Sequence, residues 1–331
     1  HGTVREMGFA PNLFNLIVSE SMFVSGQPPL SDDELLRLLR PKGRAILASA
    51  GEPPSAWKIL EQQPLKGAGK WTHMYADPAN TACSGEQRLD RSLSLQWFGQ
   101  PGPRDMVDRH HRTVPPLYAG GRLFIPGNNR VIAVDAYNGT ILWDAEVPGS
   151  RRVGALRDCG NMVAAADELY IVAGSRCLAL DAEQGTVRSS HLVPSRADGQ
   201  PRAWGYVANL GEKLIGTTTR PGASRSGHSR RTIDETYYDF ISMVTSDSIF
   251  ALHRKSGEKL WHYQADEGAI TNPSIAIGDG KVIFIESRNK QTLQSTTGRV
   301  TLGELLGGRG ASLVAIDVQT GSEVWRQHVD L

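Results

Sequence analysis

Short apolar runs separated by polar turns recur along most of the chain. The clearest copy is residues 130–149, RVIAVDAYNGTILWDAEVPG, in which an apolar run is followed by an aspartate, a turn ending in glycine, and a second apolar run that carries a tryptophan. Further copies of this pattern begin at Arg176, Ser248 and Ser312. Recurrence of one pattern along a chain is the sequence signature of a repeat architecture.

Each copy predicts a β-hairpin. The run from Val131 to Val134 is short, β-branched and without polar alternation, as expected for a strand that is buried on both faces. Asp135 can accept hydrogen bonds from the turn amides, and Gly139 suits a final turn residue with positive φ. The corresponding residues of the other copies are Asp181 and Gly185, His253 and Gly257, and Asp317 and Gly321. The third copy therefore departs from the pattern in having histidine in place of aspartate.

Tryptophans follow the turn glycines at a fixed spacing. Trp143, Trp261 and Trp325 each lie four residues after their glycine, whereas the second copy has Ser189 at this position. A large ring at a repeated position is predicted to pack against the turn of a neighbouring repeat. We therefore expect all three tryptophans to be largely buried.

Two further apolar segments precede each hairpin, which gives four predicted strands in each repeat. Four-stranded units of this size are typical of β-propeller blades. The blades are predicted over residues 113–149, 158–195, 203–266 and 269–330. The predicted fold is therefore mainly β, a β-propeller of about four four-stranded antiparallel blades over residues 92–331, with a small α/β fragment before it.

The motif Ala-x-Asp-x-x-x-Gly-x-x-x-Trp resembles the repeat of the pyrroloquinoline-quinone-like (PQQ-like, or quinoprotein-like) β-propeller family. Its residues in the first copy are Ala133, Asp135, Gly139 and Trp143. Propellers of this family usually have seven or eight blades, so the resemblance implies an incomplete ring here. In such propellers the chain often starts with the last strand of the final blade, and SLSLQWFG, residues 92–99, is predicted to be a strand of this kind.

Residues 1–60 do not share the repeat and predict a doubly wound α/β piece. A short apolar strand is expected from Leu13 to Val18, and Ser31 and Glu34 have the spacing of a capping box at a helix start. The apolar face of that helix would be formed by Leu35, Leu36, Leu38 and Leu39. Pro41 and Gly43 are expected to end the helix before a strand from Arg44 to Ala48.

This fragment is similar to the later part of a class I S-adenosylmethionine (SAM)-dependent methyltransferase, in which a helix ending in LRPKG lies between two strands. The resemblance implies a methyltransferase-like remnant of a larger fused bacterial protein. Its glycine-rich cofactor loop should lie upstream of the sequence, so SAM is not expected to bind.

Residues 61–91 are predicted to be a linker and lead-in. Of these residues, His73, Asp77 and Asn80 are possible ligands, but a structured loop packed under the propeller is favoured.

Composition limits the classes of function. The net charge of +1 over 331 residues favours neither nucleic acid nor a membrane surface as a partner. No apolar stretch approaches the roughly 18 residues of a membrane span. The cysteines, Cys83, Cys159 and Cys177, form no Cys-x-x-Cys motif and are predicted to be small buried residues, although a Cys159–Cys177 disulfide is left open.

Two insertions and one polar stretch contain residue types that occur in binding sites. Residues 220–246 combine basic and aromatic residues, but a charged loop is favoured over nucleic-acid binding. Residues 287–310 predict a short helix from Leu302 to Leu306 that ends at Gly307. Before the first blade lie Asp105, Asp108, His110 and His111. Their spacing matches no standard metal site, so no metal is predicted.

Alignment of the blades predicts a ligand site where the first strands begin. With Leu123, Leu169, Leu214 and Val282 in register, the aligned first-strand positions are Thr113, Cys159, Trp204 and Asn272. The candidate ligand rim consists of His111, Arg112, Arg157, Asp158, Arg202, Trp204 and Asn272. Because the rim is net basic and includes an aromatic ring, it favours a small anionic or glycan ligand. Ordinary polar blade entrances are the alternative.

No catalytic motif is present, so no catalytic residue is assigned and a non-enzymatic scaffold for binding or assembly, with a ligand or protein partner, is the favoured function. The family resemblance leaves a quinoprotein-type dehydrogenase with PQQ and calcium as one alternative. The chain lacks the adjacent cysteine pair of such enzymes, so neither cofactor is expected. A substrate-presenting module of a methyltransferase is the other alternative. The propeller resemblance favours the cell envelope or periplasm, whereas a working methyltransferase region would favour the cytoplasm.

Overall fold

The computed structural model describes residues 7–89, 93–100, 102, 105–107, 114–195, 199–227, 242–307 and 309–329. These residues form two compact units. The first unit comprises residues 7–69, the described part of 85–100, and 135–140. The second unit comprises the remaining described residues and contains the repeats. The predicted linker, residues 61–91, is divided between the two units.

The first unit is a small α/β structure. Its elements are β1 (Phe14–Val18), α1 (Glu20–Ser25), α2 (Asp32–Leu38), β2 (Leu39–Leu47) and β3 (Lys58–Glu61). β1 pairs with β2 in parallel, and β2 pairs with β3 antiparallel. Ser31 caps α2 by accepting a hydrogen bond from the amide of Glu34, and the helix buries Leu35 and Leu38 in the core of this unit. The predicted α/β fragment is therefore confirmed, whereas its relation to methyltransferases stays a prediction.

The predicted end of α2 was wrong. The helix ends at Leu38, and β2 already begins at Leu39 and runs through Pro41 and Gly43. Proline disfavours helical geometry in the residue before it. Gly43 lies against the backbone of β1, where a Cβ would come within 2.8 Å of the Phe14 carbonyl oxygen. In this position the glycine permits close pairing of two strands and does not end a helix.

The second unit contains four antiparallel blades, of which three are four-stranded sheets and the fourth is part of a seven-stranded sheet. Blade one consists of β4 (Leu117–Ala119), β5 (Arg122–Gly127), β6 (Arg130–Asp135) and β7 (Ile141–Glu146). Blade two consists of β8 (Met162–Ala164), β9 (Glu168–Ala173), β10 (Arg176–Asp181) and β11 (Val187–Leu192). Blade three consists of β12 (Ala203–Leu210), β13 (Lys213–Thr219), β15 (Ser248–His253) and β16 (Lys259–Gln264). Blade four consists of β18 (Ala276–Gly278), β19 (Lys281–Ser287), β21 (Ala311–Asp317) and β22 (Glu323–Val329). The predicted propeller blades are confirmed.

The four hairpin turns share one geometry. Each turn glycine donates its amide to the carbonyl of the residue four positions earlier, at 2.8–2.9 Å. Each turn glycine also has a φ of +72° to +73°, as predicted. The Asp135 side chain accepts a hydrogen bond from the Tyr137 amide at 2.9 Å. In the third turn the Nδ1 atom of His253 accepts from the Ser256 amide at 3.2 Å. Histidine can therefore replace aspartate here because the turn needs only an acceptor.

Two of the three repeat tryptophans lie against the next turn. Trp143 packs on Gly185 and donates its indole N–H to the carbonyl of Ala182 at 3.1 Å. Trp261 packs on Gly321 in the same way and donates to Val318 at 3.0 Å. These indoles are 8% and 6% exposed, which confirms their predicted burial.

The predicted burial of Trp325 was wrong, because this side chain is 37% exposed. Trp325 stays exposed because each described hairpin turn is already covered by another ring. The rings that cover the four turn glycines in the described residues are those of Trp97, Trp143, His191 and Trp261. No described turn is therefore left for the indole of Trp325.

The predicted strand over residues 92–99 was also wrong, because described residues 93–99 form no strand. The stretch nevertheless makes the contact that characterises an outer strand. Within the first unit, Trp97 packs on Gly139 and donates its indole N–H to the carbonyl of Ala136 at 3.0 Å. Strand pairing requires partners that residues 93–99 lack among the described residues.

The two insertions pair with each other beside blade four. β14 (Met243–Ser246) from the first insertion pairs antiparallel with β20 (Arg299–Val300) from the second and with β17 (Ile270–Thr271). α3 (Leu302–Leu306) follows and is confirmed as predicted, with a capping box between Thr301 and Glu304. The aromatic residues predicted to be part of a charged loop, Tyr237, Tyr238 and Phe240, lie outside the described residues. None of the described helices is long and apolar enough to cross a membrane.

Candidate ligand cavity under the lead-in loop

Residues 70–84, which we call the lead-in loop, contact the first strands of all four blades within the second unit. Trp71 exchanges backbone hydrogen bonds with Tyr118 of blade one, and the Thr72 carbonyl accepts from Ala164 of blade two. The Pro78 carbonyl accepts from the Ile277 amide of blade four at 2.7 Å. The contact with blade three is made by a side chain, that of His73. The sequence prediction of a structured loop packed on the blades agrees with this arrangement.

His73 links the loop to blade three through both ring nitrogens. The Asn209 amide donates to Nε2 at 3.3 Å, so Nε2 is the unprotonated nitrogen and Nδ1 donates to the Thr72 hydroxyl at 2.8 Å. Burial lowers the pKa of His73 to about 4, against the smaller opposing effect of the nearby Asp77 carboxylate. The imidazole is therefore neutral at pH 7, and its protonation would break the bond to Asn209.

A cavity of about 140 Å³ lies between the lead-in loop and the blade entrances. Residues of the loop and of blades two, three and four contribute to its wall. The wall includes Met74, Tyr75, Leu156, Cys159, Met162, Tyr206, Asn272 and Ile275. Of these, Tyr75 and Leu156 are exposed, so the cavity reaches solvent on their side. Most of the wall is apolar, as is common for sites that bind small molecules.

A buried ion pair lies behind one wall of the cavity. Arg152 and Asp158 are 6% and 1% exposed, with 3.6 Å between Nε and the carboxylate. Arg152 also donates to the Gly205 carbonyl at 2.9 Å and to the sulfur of Cys159 at 3.3 Å. Burial and the adjacent Asp158 charge raise the pKa of the Cys159 thiol well above its usual value. Cys159 is therefore an unreactive thiol. Cys159 and Cys177 are both free, which excludes the disulfide left open by the sequence.

A second polar cluster fixes Asn272, which also lines the cavity. Its amide oxygen accepts from the Ser246 hydroxyl at 2.6 Å, and Thr217 lies 3.4 Å from the same oxygen. The Asn272 Nδ2 atom is buried and has no hydrogen-bond partner within the described ranges. It lies over Gly205, where a Cβ would come within 2.6 Å. Glycine at position 205 is therefore required by the close approach of this amide.

The predicted ligand rim is only partly brought together. Asp158 and Asn272 belong to the two clusters beside the cavity, and Trp204 contributes its backbone to the first of them. The Trp204 indole is buried, donates to the Tyr206 carbonyl at 2.9 Å and packs edge-on against Phe250. Arg202 instead pairs with Asp247 at 3.2 Å. Arg157 is half-buried on the turn before Asp158, whereas His111, Arg112 and the aligned Thr113 lie outside the described residues.

Sequence reasoning missed Tyr206, the polar residue most relevant to the cavity. The register of its strand shifts between Trp204 and Val207, so Trp204 and Tyr206 belong to different core clusters and strand alternation gave no signal for Tyr206. An anionic or glycan ligand for the rim stays a prediction.

Of the possible metal ligands before blade one, only Asp105 is described, and it pairs with Arg130 at 3.4 Å. Across the described ranges, no group of three or more His, Cys, Asp and Glu side chains is placed to hold a metal ion.

The cavity does not fit PQQ with calcium. PQQ is a tricarboxylate, and the described residues of the wall include no arginine, lysine, aspartate or glutamate. A bound polyanion would need cationic partners, and calcium would need several carboxylate or carbonyl oxygens. Only asparagine, tyrosine, histidine and cysteine contribute polar side chains to this wall, so no step through PQQ is assigned to it.

The fold and these repeats define a PQQ-like β-propeller protein. A family model described as "Outer membrane protein assembly factor BamB" matches residues 79–217 and 239–331, which is more than half of the chain. The chain therefore belongs to this family, which confirms the predicted PQQ-like class. No curated protein matches the sequence.

The first of three similar solved structures supports the fold. The quinohemoprotein alcohol dehydrogenase ADHIIG of Pseudomonas putida HK5 is similar over 79% of this chain and 40% of that chain, with a TM-score of 0.50 and 17% sequence identity. That of Comamonas testosteroni is similar over 78% and 41%, with a TM-score of 0.48 and 16% identity. BamB from Moraxella catarrhalis is similar over 72% and 69%, with a TM-score of 0.36 and 15% identity. The chain spans about two fifths of the length of the two dehydrogenases, and identities this low indicate a shared fold alone.

Proposed function

We propose that this chain is a non-enzymatic scaffold that binds another protein during assembly of envelope proteins. The assembly part of this proposal rests on the family, whose description is that of an outer membrane protein assembly factor. The non-enzymatic part is supported by the cavity under the lead-in loop. The loop forms hydrogen bonds with the first strands of all four blades, and the described residues that line the cavity beneath it include no charged side chain. A polar charged cofactor would be poorly stabilised there.

The outer strands support a protein partner. Leu142, Leu260 and Val324 occupy the same repeat position, three residues after the turn glycine, on blades one, three and four. They are 36%, 42% and 50% exposed. Their recurrence at one position of three repeats supports a protein contact there. We place the partner surface on these outer strands.

Site-specific photo-cross-linking in cells of the source organism tests this surface. A photoreactive amino acid at position 142, 260 or 324 should give a discrete adduct with an envelope-assembly protein. Ser175, which is exposed in the turn between β9 and β10, provides the control position. Absence of adducts at all three outer positions, or equal adducts at position 175, would contradict the proposal.

Addition of PQQ and calcium separates this proposal from the dehydrogenase alternative. We expect neither saturable quenching of tryptophan fluorescence nor dye reduction in the presence of alcohols. Calcium-dependent dye reduction would instead support a quinoprotein enzyme. Calorimetric titration with SAM should likewise show no binding, because the predicted methyltransferase-like remnant lacks a glycine-rich cofactor loop.

A further inference from the structure

Tyr206 is a buried tyrosine that lines the cavity and whose hydroxyl has no partner in the described part of the chain. The residue is 7% exposed and lines the cavity under the lead-in loop. Its backbone amide donates to Thr217, and its carbonyl accepts from the Trp204 indole. Among the described residues, no group forms a hydrogen bond with the phenolic oxygen. A tyrosine hydroxyl that is buried usually has a partner, so this one is available to a molecule in the cavity.

The neighbouring side chains make the cavity suitable for an uncharged molecule. Met74, Met162 and Ile275 contribute apolar surface, and methionines adapt readily to ligand shape. Burial raises the pKa of the Tyr206 hydroxyl, with a smaller contribution from nearby Cys159. The phenol is therefore a stable donor at neutral pH. His73, whose pKa is lowered to about 4, is uncharged as well. A charged ligand would lose its hydration without gaining a charged partner on this wall.

The size of the cavity limits the ligand further. The volume is about 140 Å³. An engineered apolar protein cavity of about 150 Å³ binds benzene. A single aromatic ring with a short substituent therefore matches the available space, whereas a disaccharide does not.

We propose that this cavity is a binding site for a small, uncharged, mostly apolar molecule whose carbonyl-type oxygen accepts a hydrogen bond from Tyr206. This site is separate from the outer-strand surface proposed above for a protein partner. Bound molecules would contact the loop and three blades at once, so they would stabilise the docked loop.

Methionine-methyl NMR on the full chain provides a direct test. The chain has six methionines, and Met74 and Met162 are the two that line the cavity. Acetophenone, an uncharged aromatic ketone, should cause saturable shifts of these two methyl signals and leave those of Met7 and Met22 unchanged. Ethylbenzene has the same shape without the acceptor and should bind about fivefold more weakly. Benzoate, which is charged, should cause no saturable shift.

Tyr206→Phe removes only the hydroxyl and should weaken acetophenone about fivefold while leaving ethylbenzene unchanged. Tyr118→Phe, outside the cavity, is the matched control and should change neither affinity. The proposal is overturned if acetophenone shifts neither methyl signal, which would indicate a water-filled cavity. Equal affinities of acetophenone for the wild type and Tyr206→Phe would also overturn it. Neither result would bear on the protein-binding surface, which is tested by cross-linking.

Discussion

The imidazole of His191 lies against Gly257, where a Cβ on the glycine would come within 2.6 Å of Nδ1. This contact joins blades two and three. At the boundaries on either side, the equivalent contact is made by the larger indoles of Trp143 and Trp261. The second repeat has Ser189 at the tryptophan position. The structure shows that a ring two residues later replaces it.

Ion pairs cross the same boundary. Lys255 lies 2.9 Å from the buried Glu168, and Arg254 lies 3.2 Å from Asp167. A smaller ring buries less apolar surface than an indole. The boundary between blades two and three therefore depends more on charge than its neighbours do.

Removal of Arg254 should destabilise this boundary. Arg254→Met leaves the buried Glu168 with fewer positive neighbours, and we expect a loss of about 2 kcal/mol in the free energy of unfolding. Arg122→Met provides the control, since Arg122 pairs with the exposed Glu183. It should cost less than about 1 kcal/mol. Urea unfolding of both variants checks this prediction, and equal losses would contradict it.

The two kinds of tryptophan site should respond differently to truncation. Trp143→Ala removes a buried ring and its hydrogen bond to Ala182, and should cost about 3–5 kcal/mol. Trp325→Ala removes a ring that is 37% exposed, and should cost about 1 kcal/mol. Thermal and urea unfolding measure both values. A large loss for Trp325→Ala would show that an additional partner covers this ring in solution.

Gly185 should tolerate alanine poorly. Its φ is +72°, and a Cβ would come within 2.6 Å of the Trp143 indole, so strain and overlap should together cost about 3 kcal/mol. Gly174 has a φ of +61° but open space around its Cβ position. Gly174→Ala should therefore show the backbone strain alone, about 1 kcal/mol. If urea denaturation gives similar losses for both variants, the indole contact contributes nothing.

His73 should make stability depend on pH. Its folded pKa of about 4 lies below the unfolded value of 6.5, so the unfolded chain binds the proton more readily. The contribution to stability is complete above pH 6.5 and is lost as the pH falls towards 4, by about 3 kcal/mol in all. His73→Gln should flatten the fall in unfolding free energy between pH 7 and 5, which urea unfolding across this pH range measures. An unchanged slope in His73→Gln would show that this histidine does not titrate with unfolding.

The α/β unit illustrates the limit of local signals. Ser31 was recognised as a helix cap from its spacing to Glu34, and the structure confirms it because capping is a contact between near neighbours. The same reasoning placed the helix end at Pro41 and Gly43. Gly43 in fact serves the approach of β2 to β1, which is a contact with residues far away in sequence.

The sequence by itself determined the blades, because their signals are local and repeated. A β-branched run, an acceptor such as Asp135 and a glycine able to adopt positive φ specify the hairpin within one stretch of chain. The tertiary structure alone decided what each repeat packs against. Burial of Trp325 depends on a turn elsewhere, and the hydroxyl of Tyr206, which has no partner among the described residues, lies at a cavity that four distant segments enclose. Such contacts depend on the arrangement of whole blades, which no single stretch of sequence encodes.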